Sequence, residues 1–422
     1  MLKKFARALT RSPKTIILLA LLLLLPSLYG AINTRVNYDI LSYLPEELDS
    51  SQGQAVLEDT FHSAATAMLV VEGMPARDVE KLRDAIEEVP GVSDAMWISS
   101  MLDISVPKEI LPDEIKDIFY SEKAKDSTMI IVQFEHPGAS NETLRAIDEV
   151  RALCDERCFL AGVSIFLKDT KDLVEQEMPF YTLLAVVFSI VAMSLTMESV
   201  VLPFVFLMGI GFAVAYNFGT NIFLGQISYI TEALATVLQL GVTMDFSIFL
   251  LHRYQEEKEL RSTNEEAMVS AICKTMTSIS ASSLTTIAGF LALCAMRLTL
   301  GRDIGLVMAK GVALGVICTV VILPALILTF DKWVEKYKHR TVIPRLTKLS
   351  YFVSKHSVPI VAVFILILIP FAIAQNKTSV YYTLFDSLPQ DLTGIVGTNK
   401  LGEDFGICLL YTSDAADDLI GV

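Results

Sequence analysis

Seven long apolar stretches dominate this chain, at roughly 15–33, 179–197, 200–218, 230–251, 278–296, 303–328 and 358–375. Each is long enough to span a bilayer, where water cannot satisfy the backbone, so each must fold as a helix. A mean hydropathy of +0.51 and 53% apolar residues agree with that clustering. The first stretch follows Lys3, Lys4, Arg7, Arg11 and Lys14, which resembles the basic region of a signal peptide. Its length, the interruption at Pro26 and its counterpart at 358–375 instead predict a retained helix.

That counterpart belongs to an internal repeat. An offset of 344 positions pairs Val36 with Val380, Tyr38 with Tyr382, Leu44-Pro45 with Leu388-Pro389 and Leu48 with Leu392. It also pairs Gly53 with Gly397, Leu57 with Leu401, Phe61 with Phe405, and Pro26 with Pro370. A period this long is not a solenoid. It predicts a complete six-helix repeat followed by the start of a second, an organisation common in secondary transporters.

Charge orients the helices. Lys and Arg collect before the first stretch, in Arg253–Lys274 and in Lys332–Lys355, which the positive-inside rule places in the cytoplasm. Alternate crossings then put residues 34–178 outside, and all three basic clusters fit that count. From Arg35 to Glu177 there are 30 Asp and Glu against 13 Lys and Arg, in a chain of net charge −14. So acidic an outer segment argues against nucleic acid or an anionic lipid surface as its partner.

The outer segment alternates strand-like and helix-like pieces. Strands are expected at Ala67–Glu72, Val92–Ser99, Met129–Phe134 and Phe159–Ile165, and helices at Ala76–Glu88 and Asn141–Leu153. Two β-α-β units in succession predict a ferredoxin-like α+β domain. Ile104–Lys125 reads as an insertion, and Lys168–Glu177 as the lead-in to the second helix. The expected segments are therefore residues 1–33, a cytoplasmic N-terminus and first helix; 34–178, the outer domain; and 179–330, five further helices. Residues 331–357 follow as a basic cytoplasmic linker, 358–375 as a seventh helix and 376–407 as the start of a second outer domain. His252–Thr277 is amphipathic and expected along the membrane face, and Gly311 and Gly315 are spaced for close helix packing.

Asp245 is the sharpest chemical signal, a carboxylate within the apolar run Val237–Leu251. At the bilayer centre such a group costs about 2.5–3.5 kcal/mol and marks ion or proton paths. Lys310 is a second charge at membrane depth; it either snorkels or pairs with a carboxylate, and pairing with Asp245 is the expectation. Ser282, Ser283 and Thr286, within a Ser/Thr-rich fifth stretch, supply hydroxyls for a proton relay. Such residues also merely pack membrane helices.

Other chemistry is sparse. Among six cysteines, Cys273, Cys294 and Cys318 lie in or beside apolar stretches. Cys154 and Cys158, outside and four apart, are either a disulfide or two free thiols. No zinc-ligand set, Walker A pattern, His-Glu-x-x-His or Gly-x-Ser-x-Gly occurs, so neither ATP nor an enzymatic reaction is indicated. Residues 408–422 resemble a translated transposase-end sequencing adapter, so Cys408 is not expected to be native.

Several motifs together resemble the MMPL branch of the resistance–nodulation–division superfamily. They are Gly241-Val-Thr-Met-Asp245-Phe-Ser-Ile-Phe-Leu-Leu-His-Arg253-Tyr-Gln-Glu-Glu257, Val36-Asn-Tyr-Asp-Ile-Leu-Ser-Tyr-Leu-Pro45, Gly289-Phe290 and Leu323-Pro-Ala-Leu326. The resemblance implies a plasma-membrane exporter of lipids or other hydrophobic compounds. Its implied parts are an α-helical transmembrane bundle, an extracytoplasmic porter domain and a coupling proton rather than a cofactor. Membrane lipids and a hydrophobic substrate are the implied partners, and a homo-oligomer is allowed. Two departures stand out: Phe246 follows Asp245 where the family has Tyr, and the second-repeat equivalent of Asp245 would fall near position 589. A SecDF-type translocation accessory and a sterol-sensing-type lipid regulator are the alternative readings.

Overall fold

A computed structural model describes residues 2–39, 41–45, 47–49, 51–53, 56, 65–101, 112–121, 123–124, 126–339, 347–378 and 388–407. Parts of 104–125, the repeat positions Val380 and Tyr382, and the whole of 408–422 lie outside the described residues.

The chain opens with α1 (Leu2–Arg11) and α2 (Pro13–Asn33), separated where Pro13 takes the first helical position. A short strand, β1 (Arg35–Asn37), follows. Next come β2 (Ala65–Glu72), α3 (Ala76–Glu87), β3 (Val92–Met96), α4 (Asp113–Phe119), β4 (Ser127–Phe134), α5 (Asn141–Leu153) and β5 (Cys158–Ala161). These strands form one antiparallel sheet in the order β3-β4-β2-β5, so the two β-α-β units interleave. Central β2 is buried on both faces. Ala67, Leu69 and Val71 meet Ile86 of α3 and Ile147 of α5, whereas Val70 joins Met129 and Ala161 on the other face. Trp97 locks the insertion side by donating to Thr128 Oγ1 at 2.8 Å, and that hydroxyl donates in turn to the Phe119 carbonyl.

Strand β5 is shorter than the sequence suggests. Gly162, at φ +138°, turns the chain against the Thr66 carbonyl, a conformation open to glycine. Val163 then begins α6 (Val163–Thr196), 34 residues long, so the expected lead-in and second membrane stretch are one helix. The apolar run 159–165 did not distinguish strand from helix; burial of Ile165, Leu167, Lys168 and Asp169 in the first turns of α6 did.

The remaining elements are α7 (Val201–Gly219), β6 (Gln226–Ser228), α8 (Tyr229–Leu260), α9 (Asn264–Ala292), α10 (Thr299–Lys336), α11 (Thr347–Lys355), α12 (Ser357–Gln375) and α13 (Thr393–Phe405). Helices α2, α6, α7, α8, α9, α10 and α12 are long and apolar enough to cross a membrane, and the protein is a membrane protein built around them. Helix α10 is the most enclosed, packing against α2, α7, α8 and α9. Helices α2 and α7 meet backbone to backbone, because a Cβ on Gly30 would strike the Gly219 carbonyl. Tyr216 fastens the same crossing by donating to the Ala20 carbonyl at 2.7 Å. A parallel ladder of β1 on β6 ties the exit of α2 to the entry of α8. Helix α12 buries none of its residues.

No separate amphipathic segment lies between α8 and α9. Both helices run on past the apolar zone and are joined by Arg261, Ser262 and Thr263, with Thr263 capping α9. The charged stretch 252–277 is thus two helix ends, whose inner sides carry Tyr254, Ala267, Met268, Ala271 and Ile272 into the core. Carboxylates knit this end together. Glu257, 1% exposed, meets Lys274 at 2.5 Å, while Asp331 accepts from Lys258 at 3.0 Å and Asn264 at 2.6 Å. Ala6 and Leu9 of α1 are buried beside it, packed on α9.

Helix α13 docks on the sheet. Its first N–H groups need an acceptor, and Asp169 of α6 supplies one, taking the Gly394 N–H at 2.7 Å while holding Arg151 at 2.5 Å. Gly397 lets the helix rest on the Leu160 carbonyl, and Leu401 fills a site formed with Val70, Met129 and Ala161. Lys400 pairs with Glu72 at 2.7 Å.

Candidate functional site

Helix α8 presents two contrasting faces. Leu234, Leu238, Gly241, Asp245 and Phe249 recur at helical spacing on its exposed side. Thr231, Gln239, Thr243, Phe246, Ser247 and Leu250 are buried on the inner side. The Asp245 carboxylate therefore leaves the bundle midway along an apolar helix instead of entering its core. Phe246, the neighbour that departs from the family pattern, is 4% exposed and packs with Ile279 and Val312 in an apolar slot.

Lys310 is not paired with Asp245. Its ammonium donates to the Asn217 carbonyl at 3.0 Å and to Asn221 Oδ1 at 2.5 Å. Helix α7 ends at Gly219, and the Asn217 carbonyl in its last turn, which also accepts from the Thr220 hydroxyl at 3.0 Å, lies where a cation is the favoured cap. Depth explains the separation. Gly311, next to Lys310, packs against Asn217 and Gln239; Asp245 lies six residues beyond Gln239, about 9 Å further along α8.

The hydroxyls are dispersed too. Ser282 is exposed, Thr286 half-buried and Ser283 buried. Ser283 donates to the Ser280 carbonyl at 3.1 Å and Thr286 to the Ser282 carbonyl at 3.0 Å, both within α9. Cys154 and Cys158 are free thiols at the junction of α5 and β5. No group of three or more metal-ligating side chains occurs among the described residues.

The structure adds a polar seam that sequence reasoning missed. Asn217 Nδ2 donates to Gln239 Oε1 at 2.9 Å, and Gln239 Nε2 donates to the Gly311 carbonyl at 3.2 Å. One turn deeper, Gly315 admits the Thr243 hydroxyl, which would lie 2.6 Å from any Cβ placed there. Asn217 Oδ1, Asn221 Nδ2, Thr243 Oγ1 and Thr319 Oγ1 are buried without hydrogen-bond partners. Amides inside apolar stretches were the available signal, by the depth argument that singled out Asp245. At the sheet end of α8, Asp303 of α10 accepts from the Ser228 N–H at 2.7 Å and the Thr231 hydroxyl at 2.6 Å, fixing the start of the helix. Tyr38 stacks on Tyr229 there at 5.6 Å, and burial pushes its phenol well above the usual range.

Known proteins resemble parts of this chain. A putative membrane protein, MJ1562, of Methanocaldococcus jannaschii is 25% identical over 60% of this chain and 70% of its own length. The mycolic acid-containing lipids exporter MmpL11 of Mycolicibacterium smegmatis is 23% identical over 41% of this chain and 20% of its own. The translocon-associated membrane protein SecDF of Thermus thermophilus aligns with a TM-score of 0.42 and 16% identity, covering 78% of this chain and 38% of that one. The chain thus spans much less than half of the latter two. A family model described as the MMPL family matches residues 44–360, most of the chain, and the chain belongs to the MMPL family.

Proposed function

We propose that this chain supplies the first repeat of a proton-driven exporter of lipids or other hydrophobic compounds. The exposed position of Asp245 carries the reading. A carboxylate facing hydrocarbon costs about 2.5–3.5 kcal/mol, so the α8 face bearing it is built to be covered by protein. A second bundle over that face would enclose Asp245 between repeats, where it takes up and releases the coupling proton. Lys310 then holds the end of α7, and Ser282, Ser283 and Thr286 line the neighbouring helix. Membership of the MMPL family and similarity to a protein named as a lipid exporter support a hydrophobic cargo.

The basic clusters orient the chain in the plasma membrane with its N-terminus, the α8–α9 turn and residues 332–355 in the cytoplasm. The interleaved sheet is then a ferredoxin-like porter domain outside, with α13 docked beneath it. Uptake of a fluorescent lipid into inverted vesicles, which corresponds to export from the cell, tests the function with and without a protonophore. Loss of export on collapsing the gradient is expected. Export that persists would contradict proton coupling, and a secretion defect without lipid flux would favour a translocation accessory.

A further inference from the structure

Two thiols meet at the corner where α5 gives way to β5. Cys154 caps the end of α5, its N–H donating to the Arg151 carbonyl at 3.1 Å. Cys158 opens β5, paired with Val71 of β2. The turn between them is already closed: the Cys158 N–H donates to the Asp155 carbonyl at 3.1 Å, and Arg157 N donates to Asp155 Oδ1 at 2.9 Å. Both cysteines are half-buried against the sheet core, and Asp155, Glu156 and Arg157 between them are exposed. Both thiols pack against the same sheet core, and Cys158 Sγ lies 3.6 Å from Asp155 Oδ1.

We propose that Cys154 and Cys158 form a reversible thiol–disulfide couple, exchanged with external disulfides, that stiffens the strand on which α13 rests. This rests on the outward placement of the sheet domain proposed above, because an oxidising compartment is where such a bond persists.

Cys158 follows the exposed turn Asp155–Arg157, whereas Cys154 closes α5, so Cys158 is taken as the attacking sulfur. Interaction with Cys154 also holds the Cys158 thiol below the usual thiol range, in the same direction. Its thiolate attacks one sulfur of an external disulfide, forming a mixed disulfide and releasing one thiolate. Cys154 then loses its proton to solvent and attacks Cys158 Sγ, expelling the second thiolate. Two protein thiols give up two protons and two electrons; one external disulfide becomes two thiols.

The bond would close directly beside the α13 platform. Phe159, Leu160 and Ala161 follow Cys158, with Gly397 on the Leu160 carbonyl and Leu401 against Ala161. The Arg157 carbonyl accepts from the N–H of Glu72, the partner of Lys400. Oxidation should therefore slow hydrogen exchange at Phe159–Ala161 several-fold without changing the fold.

The full chain in detergent, treated with oxidised glutathione, alkylated with N-ethylmaleimide and digested with trypsin, provides the test. Cleavage after Arg151, Arg157 and Lys168 leaves one cysteine on each of two peptides, 152–157 and 158–168. The expected result is a joined pair that separates on reduction. Cys154→Ser should retain glutathione on Cys158, and Cys158→Ser should retain far less on Cys154. Two separately alkylated peptides, or equal retention by both variants, would overturn the couple. A membrane-impermeant maleimide reads sidedness independently. Labelling of intact cells is expected, and labelling confined to inverted vesicles would overturn the outward placement and with it the external oxidant.

Discussion

Lys310 caps a helix: its ammonium sits 3.0 Å from the carbonyl of Asn217 in the last turn of α7, beside the Thr220 hydroxyl that donates to the same oxygen. Two consequences follow. Lys310→Met leaves that carbonyl and the Asn221 amide buried without their cation, which should lower stability by about 1–3 kcal/mol. Because Asp245 lies deeper and on another face, the effects of Lys310→Met and Asp245→Asn should add to within about 0.5 kcal/mol. Thermal unfolding of the two single variants and the double variant in detergent measures this. A coupling above about 1 kcal/mol would restore the direct pair.

Gly315 is a spacing residue for Thr243. Any Cβ there falls 2.6 Å from the Thr243 hydroxyl, with α8 and α10 already in contact. Gly315→Val should cost about 1–3 kcal/mol through overpacking, whereas Gly211→Ala, in open space, should cost little. The comparison of unfolding midpoints distinguishes local packing from general sensitivity of membrane helices to lost glycines.

Asp169 of α6 ties α13 to α5. It caps α13 at Gly394 and neutralises Arg151, so Asp169→Ala removes both contacts while the fold of the sheet is retained. Undocking of α13 should become easier by about 1–3 kcal/mol, seen as faster hydrogen exchange across Thr393–Leu401. Asp169→Asn, which keeps one acceptor oxygen, should lose less. Equal exchange in all three proteins would remove the cap from the account.

Docking of α13 should also respond to alkaline pH. The Glu72 hydrogen bond raises the Lys400 ammonium above its ordinary value. A raised folded value means that the stabilisation is complete below the ordinary lysine range and is lost as pH climbs through the folded value. Exchange at Leu401 should thus accelerate above the lysine range in the parent protein, and Lys400→Met should abolish that dependence.

Much of this was legible because membrane helices leave an unmistakable composition. All seven apolar stretches are helices, and Gly311 and Gly315 do serve close packing. The β-α-β order of the sheet followed from the short apolar runs Ala67–Glu72 and Met129–Phe134 and the helical stretches beside them, although Ser140, not the Asn141 expected to open the helix, caps α5. Legibility failed where one residue decided the outcome. Gly162 ends β5 four residues early, at Ala161, and nothing in Phe159–Ile165 says so, since an apolar run suits a strand and a buried helix equally. The site failed for a different reason. Sequence shows that Asp245 and Lys310 share an apolar environment, but their depth and face depend on how α8 and α10 are staggered. That stagger is set by Gly311 against Gln239 and Gly315 against Thr243, contacts remote in sequence.

In the proposed function Asp245 is the carboxylate that carries the coupling proton, and Lys310 has only a supporting role. Gradient-driven lipid export should be compared in vesicles carrying the parent protein, Asp245→Asn and Lys310→Gln at equal folded amounts. Asp245→Asn should lower the rate at least about tenfold, the equivalent of about 1.4 kcal/mol in the barrier, while Lys310→Gln keeps most of it. Undiminished, gradient-dependent export by Asp245→Asn would contradict the account.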